Sequence, residues 1–182
     1  MLVRGRSVSL RRPVAEDKDA FVAALEGSRS LLHPWVDVDT DPRVIDDWLD
    51  AVDLPTVQRA FVVPTEGDQE TICGVYSISQ IFRGSFRGAY LGYYALEPFA
   101  RQGLMRGAMP LVFRFAFDQL GLHRLQANVQ PENERSLALL RTTGWREEGY
   151  AKRYLKIGGQ WRDHVMFAIL AEEAPRHIPR RP

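Results

Sequence analysis

The amino-acid sequence predicts a mixed-sheet α/β fold with helices on both faces of the sheet, and three observations carry that prediction. Segments of alternating and of helical hydrophobic period follow one another in the order strand, two helices, three strands, helix, strand, helix, two strands. The 182 residues, 45% of them hydrophobic and 26% charged, suffice for one sizeable core and are too few for two. Glycine and proline are spread along the chain, without a fixed-period repeat or a low-complexity run.

Taken in order, residues 6–11 alternate as a strand until Pro13 breaks it. Glu16 and Asp17 open a helix through Leu25, with Phe21, Val22 and Leu25 on one face. Ser30 to Asp41 reads as a loop carrying His33-Pro34-Trp35, and a second helix spans about 42–52, striped by Val44, Ile45, Trp48 and Leu49. Phe61-Val62-Val63 is a short strand and Gly67-Asp68 a turn. A longer strand, 72–82, turns at Arg83-Gly84-Ser85 into another at 89–96. The period then changes. Residues 103–120 read as a helix, with Leu104, Ala108, Leu111, Val112 and Phe115 at helical spacing and Gly121 as its stop. Residues 124–129 alternate as a strand, and Pro131-Glu132-Asn133 starts a helix that stops at Gly144. The last strands, 145–157 and 161–170, flank the Gly158-Gly159 turn. The folded domain is therefore expected over residues 1–172, with 173–182 a flexible basic tail carrying Arg176, His177, Arg180 and Arg181.

Charge and cysteine count exclude several classes of function. A formal charge of +1 gives no whole-protein field toward DNA or membrane, so neither is an expected partner. Cys73 is the sole cysteine, which leaves no internal disulfide framework and no thiolate metal site. Within Ile72-Cys73-Gly74-Val75 it reads as a small buried thiol. The four histidines lack HExxH spacing, and no Walker-type Lys-Ser/Thr is present, so neither a metal nor nucleotide hydrolysis is expected. With neither a signal peptide nor a membrane span in view, a reducing, cytoplasmic home fits best.

The most informative stretch is 90–109, a strand, then Arg101-Gln102-Gly103-Leu104-Met105-Arg106, then a helix. A glycine at a helix start lets backbone approach a ligand closely. The first helical N–H groups have no internal partner and sit at the positive end of the macrodipole, which suits a pyrophosphate. Arg101 and Arg106 could add charge-assisted contacts. A plain strand-to-helix turn with a glycine and two arginines is the alternative.

This turn and the order of elements resemble the GCN5-related N-acetyltransferase (GNAT) superfamily, whose signature here is Gln/Arg-x-x-Gly-x-Gly/Ala. Gly103 fits, whereas Ala100 and Met105 depart from the pattern. The resemblance is strongest over about 88–170, through Asn128-Val129-Gln130-Pro131-Glu132-Asn133-Glu134-Arg135-Ser136, Gly149-Tyr150-Ala151-Lys152 and Gly159-Gln160-Trp161-Arg162-Asp163-His164. These segments are similar to the RimJ/RimL branch, nearest to its ribosomal-protein-alanine type, RimJ. The resemblance implies the acyl-CoA N-acyltransferase fold, with a central, mostly antiparallel sheet. It also implies acetyl-CoA as co-substrate and a protein N-terminal amine, a ribosomal protein's in particular, as acceptor.

The resemblance also places residues. Backbone near Ala95 and Leu96 would face the acetyl carbonyl, and Gln102, Gly103, Leu104, Met105 and Arg106, with Arg101 beside them, would hold the pyrophosphate. Asn133 would bond the pantetheine amides, although an Asn ahead of an apolar helix is also a good N-cap. Many relatives protonate the CoA thiolate with a tyrosine four residues before the helix-ending glycine, where this chain has Leu140. Ser136, one helical turn earlier, matches a serine of RimL-type enzymes and is the candidate proton donor, unless it is an ordinary helix serine. Glu97 and Glu148 are candidate carboxylates for a water relay, and Trp35 and Tyr154 could wall the acceptor or simply anchor the core. A small amine, such as an amino acid, polyamine or antibiotic, is the rival acceptor. A non-catalytic, ribosome-associated acetyl-CoA-binding protein is the rival of another class. The oligomeric state is open.

Overall fold

In the computed structural model, residues 1–68 and 70–175 are described; the cationic tail of Arg176, His177, Arg180 and Arg181 lies outside them. The chain begins with two short strands, β1 (Val3–Arg4) and β2 (Val8–Arg11). One turn of 3-10 helix over Ala15–Asp17 leads into α1 (Lys18–Gly27). Buried Asp17 ties that start to the sheet, accepting from both Arg11 Nη atoms at 2.7 and 2.8 Å and from Val14 N–H at 2.8 Å. α2 (Arg29–Leu32) occupies the start of the expected loop, and α3 (Pro42–Asp50) follows, capped by Asp41, which accepts from Arg43 N–H.

The sheet continues with β3 (Asp53–Leu54), β4 (Val57–Pro64), β5 (Gly74–Phe82) and β6 (Gly88–Ala95). β4 is eight residues long where three were expected. Its first half looks polar, but Gln58 is buried with Nε2 donating to Asp53 Oδ1 at 2.6 Å, and Arg59 lies over Trp48. α4 (Leu104–Phe113) runs into a π-helical segment, Arg114–Gln119, so the single helix expected over 103–120 changes winding midway. β7 (Arg124–Val129), α5 (Glu134–Arg141), β8 (Arg146–Ile157) and β9 (Gln160–Leu170) complete the fold.

The strand order is β1-β2-β4-β5-β6-β7-β9-β8, with β3 on the side of β4, and each neighbouring pair is antiparallel except β6–β7. That parallel pair is joined through α4, as a parallel connection requires a crossover. It lasts for only three residue pairs, Gly88↔Arg124 to Tyr90↔Gln126. Beyond them the two strands part in the middle of the sheet. The mixed sheet of the sequence reading is present, with a break at the parallel seam between β6 and β7.

The hydrophobic core lies in two layers. On one face α4 and α5 bury Met109, Val112, Phe113 and Leu140 against Tyr76, Leu125 and Phe167. On the other, α1 to α3 bury Phe21, Leu25, Leu32 and Ile45 against Phe61, Val63 and Val75. Gly74 lets α4 close onto the sheet: a Cβ there would lie 2.5 Å from Met105 Sδ and 2.8 Å from Tyr94 O.

Candidate functional site

Where β6 and β7 part, a cavity of about 510 Å³ opens through the sheet. Its walls come from β6 (Tyr93, Tyr94, Ala95), the turn into α4 (Arg101, Gly103 to Arg106), α5 (Ser136, Leu139) and the loop after α2 (Trp35). Residues far apart in sequence meet here because the crossover returns the chain beside the strand it left.

The turn into α4 is shaped by backbone conformation. Gly103 is the N-cap with φ +76°, a left-handed conformation that favours glycine, and nothing lies within 4 Å of where its Cβ would be. The first intrahelical bond runs from Gly107 N–H to Gly103 O at 2.9 Å, so the N–H groups of Leu104, Met105 and Arg106 precede the ladder. Arg101 also lines the cavity, whereas Gln102 does not: its Nε2 turns back to Pro98 O at 2.9 Å. Arg106 reaches toward Thr142 O at the end of α5.

At the start of α5, Asn133 is an N-cap that also lines the cavity. Its Oδ1 accepts from Ser136 N–H at 3.1 Å as an N-cap, and the residue lines the cavity, which leaves Nδ2 as a donor. Ser136 Oγ lies 2.6 Å from Tyr93 Oη. Burial pushes the Tyr93 phenol well above its ordinary pKa, so it keeps its proton. Sequence reasoning did not single out Tyr93, because tyrosines recur at 90, 93 and 94 in a strand where packing is the ordinary use.

Two expectations are corrected. Leu96 is fully buried and does not line this cavity; its N–H donates to Cys73 O at 3.0 Å and its carbonyl accepts from Phe99 N–H at 2.9 Å. Its backbone is committed, so of the pair only Ala95 borders the cavity. Glu148 lies on β8 outside the cavity, bound by Arg124 from across β9 and by Arg146 at 2.9 Å. The hydrogen bond from Arg124, then that from Arg146, lowers its pKa to about 2, which is too weak a base for an ammonium proton.

Glu97 and Trp35 lie together. Glu97 N–H donates to Ser28 Oγ at 2.9 Å, and the residue lines an adjoining pocket of about 520 Å³ with His33, Trp35, Arg101, Glu132 and Arg135. Trp35 borders both spaces. Tyr154 borders neither; its ring lies 5.8 Å from that of His164, and its phenol interacts with Tyr90 and Asn128. Cys73 is the buried thiol expected, raised by burial to about 11. Among the described residues no His, Cys, Asp or Glu group is arranged to hold a metal, and no helix is long and apolar enough to cross a membrane.

Comparison with known proteins gives four findings. Residues 7–146 match the acetyltransferase (GNAT) domain family. The ribosomal protein uS5-alanine N-acetyltransferase of Escherichia coli K12 is 44% identical over 102 residues, 56% of this chain and 53% of that enzyme, so the match spans about half its length. The spermidine N(1)-acetyltransferase of the same organism is 25% identical over 168 residues, 92% of this chain and 88% of that enzyme. Among solved structures, Mycobacterium smegmatis RimJ in complex with CoA-disulfide superposes with a TM-score of 0.81 at 28% identity, over 92% of this chain and 84% of that one.

Proposed function

The chain belongs to the GNAT acetyltransferase family, and on that premise we propose that it transfers the acetyl group of acetyl-CoA to a protein's N-terminal amine, in particular that of a ribosomal protein. One observation carries the reading: a single cavity joins the left-handed turn at Gly103 to the Ser136 hydroxyl through the gap between β6 and β7. An extended cofactor needs a phosphate cradle at one end and a reaction centre at the other, and this cavity supplies both kinds of surface.

The residues fit acetyl-CoA in chemical terms. The N–H groups that precede the α4 ladder, with Arg101, suit the pyrophosphate, and the empty space over Gly103 lets it approach. Asn133 Nδ2 suits a pantetheine carbonyl. Since Leu96 N–H is turned toward Cys73, strand alternation turns the Ala95 peptide toward the gap, where it can donate to the developing oxyanion. The amine attacks the thioester carbon directly, the C–S bond breaks, and Ser136 supplies the sulfur with a proton.

The demand for a base is modest. An α-amine titrates at about 7.7–8.0, so roughly a tenth is free base at pH 7, whereas a lysine at about 10.4 has under about a thousandth. Glu97, at the neighbouring pocket beside Trp35, is the carboxylate that can relay the proton through water, and Trp35 walls the acceptor. A polyamine acceptor is the second reading, favoured by the spermidine acetyltransferase likeness over nearly the whole chain.

The test is the initial rate on Ala-, Ser- and Met-starting peptides, each with free or blocked N-terminus and an internal lysine, beside spermidine. Ala- and Ser-starting peptides with a free terminus are expected to react fastest. Rates that survive blocking would remove the N-terminal reading, and a preference for spermidine would replace it with the second.

A further inference from the structure

Tyr93 and Ser136 come from opposite sides of the gap, and their hydroxyl oxygens meet at 2.6 Å. Either could donate, but a phenol, even raised by burial as Tyr93 is, remains a stronger acid than an aliphatic hydroxyl and is the better donor. Ser136 O lies 3.5 Å from the same phenol, at the edge of hydrogen-bond range, and competes weakly. When Ser136 Oγ accepts from Tyr93, its single proton must turn elsewhere, and the remaining open direction is the cavity both residues line.

Both partners are held in place. The Tyr93 ring packs on Tyr76 with centroids 5.7 Å apart, and Tyr76 Oη donates to Met105 O at 2.8 Å. Ser136 is fixed by its N–H bond to Asn133. The pair is thus a rigid contact between β6 and the first turn of α5, at the point where the sheet itself has no ladder.

We propose that Tyr93 is a positioning residue that aims the Ser136 hydroxyl proton at the sulfur of bound CoA. The inference rests on the functional reading above and deepens its chemistry. In the step, the N–C bond forms and the C–S bond breaks with its electron pair left on sulfur. The Ser136 proton passes to sulfur in concert with the return to Ser136, through water, of the proton shed by the attacking nitrogen, so no alkoxide forms beside the more acidic Tyr93 phenol and the enzyme is unchanged. Tyr93 keeps its own proton throughout.

A mere strut between β6 and α5 would alter stability or cofactor affinity and leave the sulfur untouched. The decisive readout is therefore the sulfur. CoA bound to the full chain is titrated by the ultraviolet absorption of its thiolate, in wild type, Tyr93→Phe, Ser136→Ala, the double variant and Ser136→Thr. The bound thiol is expected to titrate about one pH unit higher in Y93F and in S136A than in wild type. The double variant should match either single one, because both act through one hydroxyl, and S136T, which keeps a hydroxyl, should stay near wild type. With an amine that wild type acetylates, kcat of Y93F should fall about tenfold while KM for acetyl-CoA stays within about twofold. As a second probe, 3-fluorotyrosine placed at position 93 keeps the hydroxyl, strengthens it as a donor and should lower the thiol's titration below wild type.

Wild-type titration in Y93F, or additive shifts in the double variant, overturns the proposal. Should Y93F fail to fold, an unmoved titration with 3-fluorotyrosine overturns it equally. Failure of wild type to bind CoA overturns it together with the functional reading. Normal thiol shifts with no amine acetylated support it and remove only the acetyl-transfer reading.

Discussion

At the scale of the residue, Gly103 offers the sharpest separation of binding from folding. Its φ of +76° makes any side chain cost about 1–2 kcal/mol, yet the space around its absent Cβ is empty, so no clash adds to that. A carboxylate there would recover part of the cost, since anions at a helix N-terminus gain about 0.3–1 kcal/mol. Gly103→Asp is therefore expected to fold, with a net loss of no more than about 1.7 kcal/mol. Gly103→Ala shares its backbone strain without its charge. In the proposed site the aspartate would face the pyrophosphate, and like charges about 4 Å apart near a surface repel by up to about 4 kcal/mol, so acetyl-CoA affinity should fall at least about tenfold. Calorimetry on both variants checks this, and unchanged affinity in the aspartate variant would move the phosphate site elsewhere. That Gly103 opens α4 and that Asn133 and Ser136 stand at the start of α5 was legible in the sequence, because their neighbours along the chain define their setting. Leu96 and Glu148 were not, because their commitments come from Cys73 and Arg124, more than twenty residues away.

At the scale of the element, α5 carries two duties at its first residue boundary. Asn133 caps the helix through Oδ1, and in the proposed reading its Nδ2 donates to the cofactor, so two substitutions pull these apart. Asn133→Asp retains the acceptor for Ser136 N–H, so stability should stay within about 0.5 kcal/mol of wild type, aspartate being as good a cap as asparagine. It loses the Nδ2 donor, so KM for acetyl-CoA should rise. Asn133→Ala loses both, with about 1 kcal/mol of stability as well as the donor. Thermal unfolding and steady-state kinetics on the pair separate the duties, and equal KM in wild type and N133D would leave Asn133 a cap alone. Hydrophobic period and capping residues made α1, α3, α5 and β7 readable. The full length of β4 was hidden, because Gln58 and Arg59 look exposed until Asp53 and Trp48 supply their partners. The π-helical segment was hidden too: Phe115 continues the apolar face that α4 begins, so the pattern alone does not report the change of winding.

At the scale of the molecule, the alternation of strands and helices was enough to foresee a mixed sheet, but a break within it is not a property of any one segment. The gap exists because β6 and β7 pair for only three residue pairs before diverging, and the space between them belongs to no local sequence pattern. Its walls come from both cores: Tyr94 and Leu32 from the layer under α1 to α3, and Met105 and Tyr93 from the layer under α4 and α5. A ligand seated there bridges parts of the chain that the sheet's own hydrogen bonds leave unjoined, and it does so only in the folded state. Acetyl-CoA should therefore stabilise folding by about 2.7 kcal/mol at a concentration one hundred times its Kd. For a domain of this size each kcal/mol raises Tm by about 2–4 °C, so the midpoint should rise by about 5–10 °C. The same concentration added to Gly103→Asp should raise it about half as much or less, because a site at least about tenfold weaker is less filled, while the ligand-free midpoint should lie no more than about 7 °C below wild type. The measurement is a thermal melt of both proteins with and without acetyl-CoA. A wild-type midpoint that does not move would mean the gap is no acetyl-CoA site; an equal rise in both would mean that the cofactor's phosphates do not rest on the Gly103 turn.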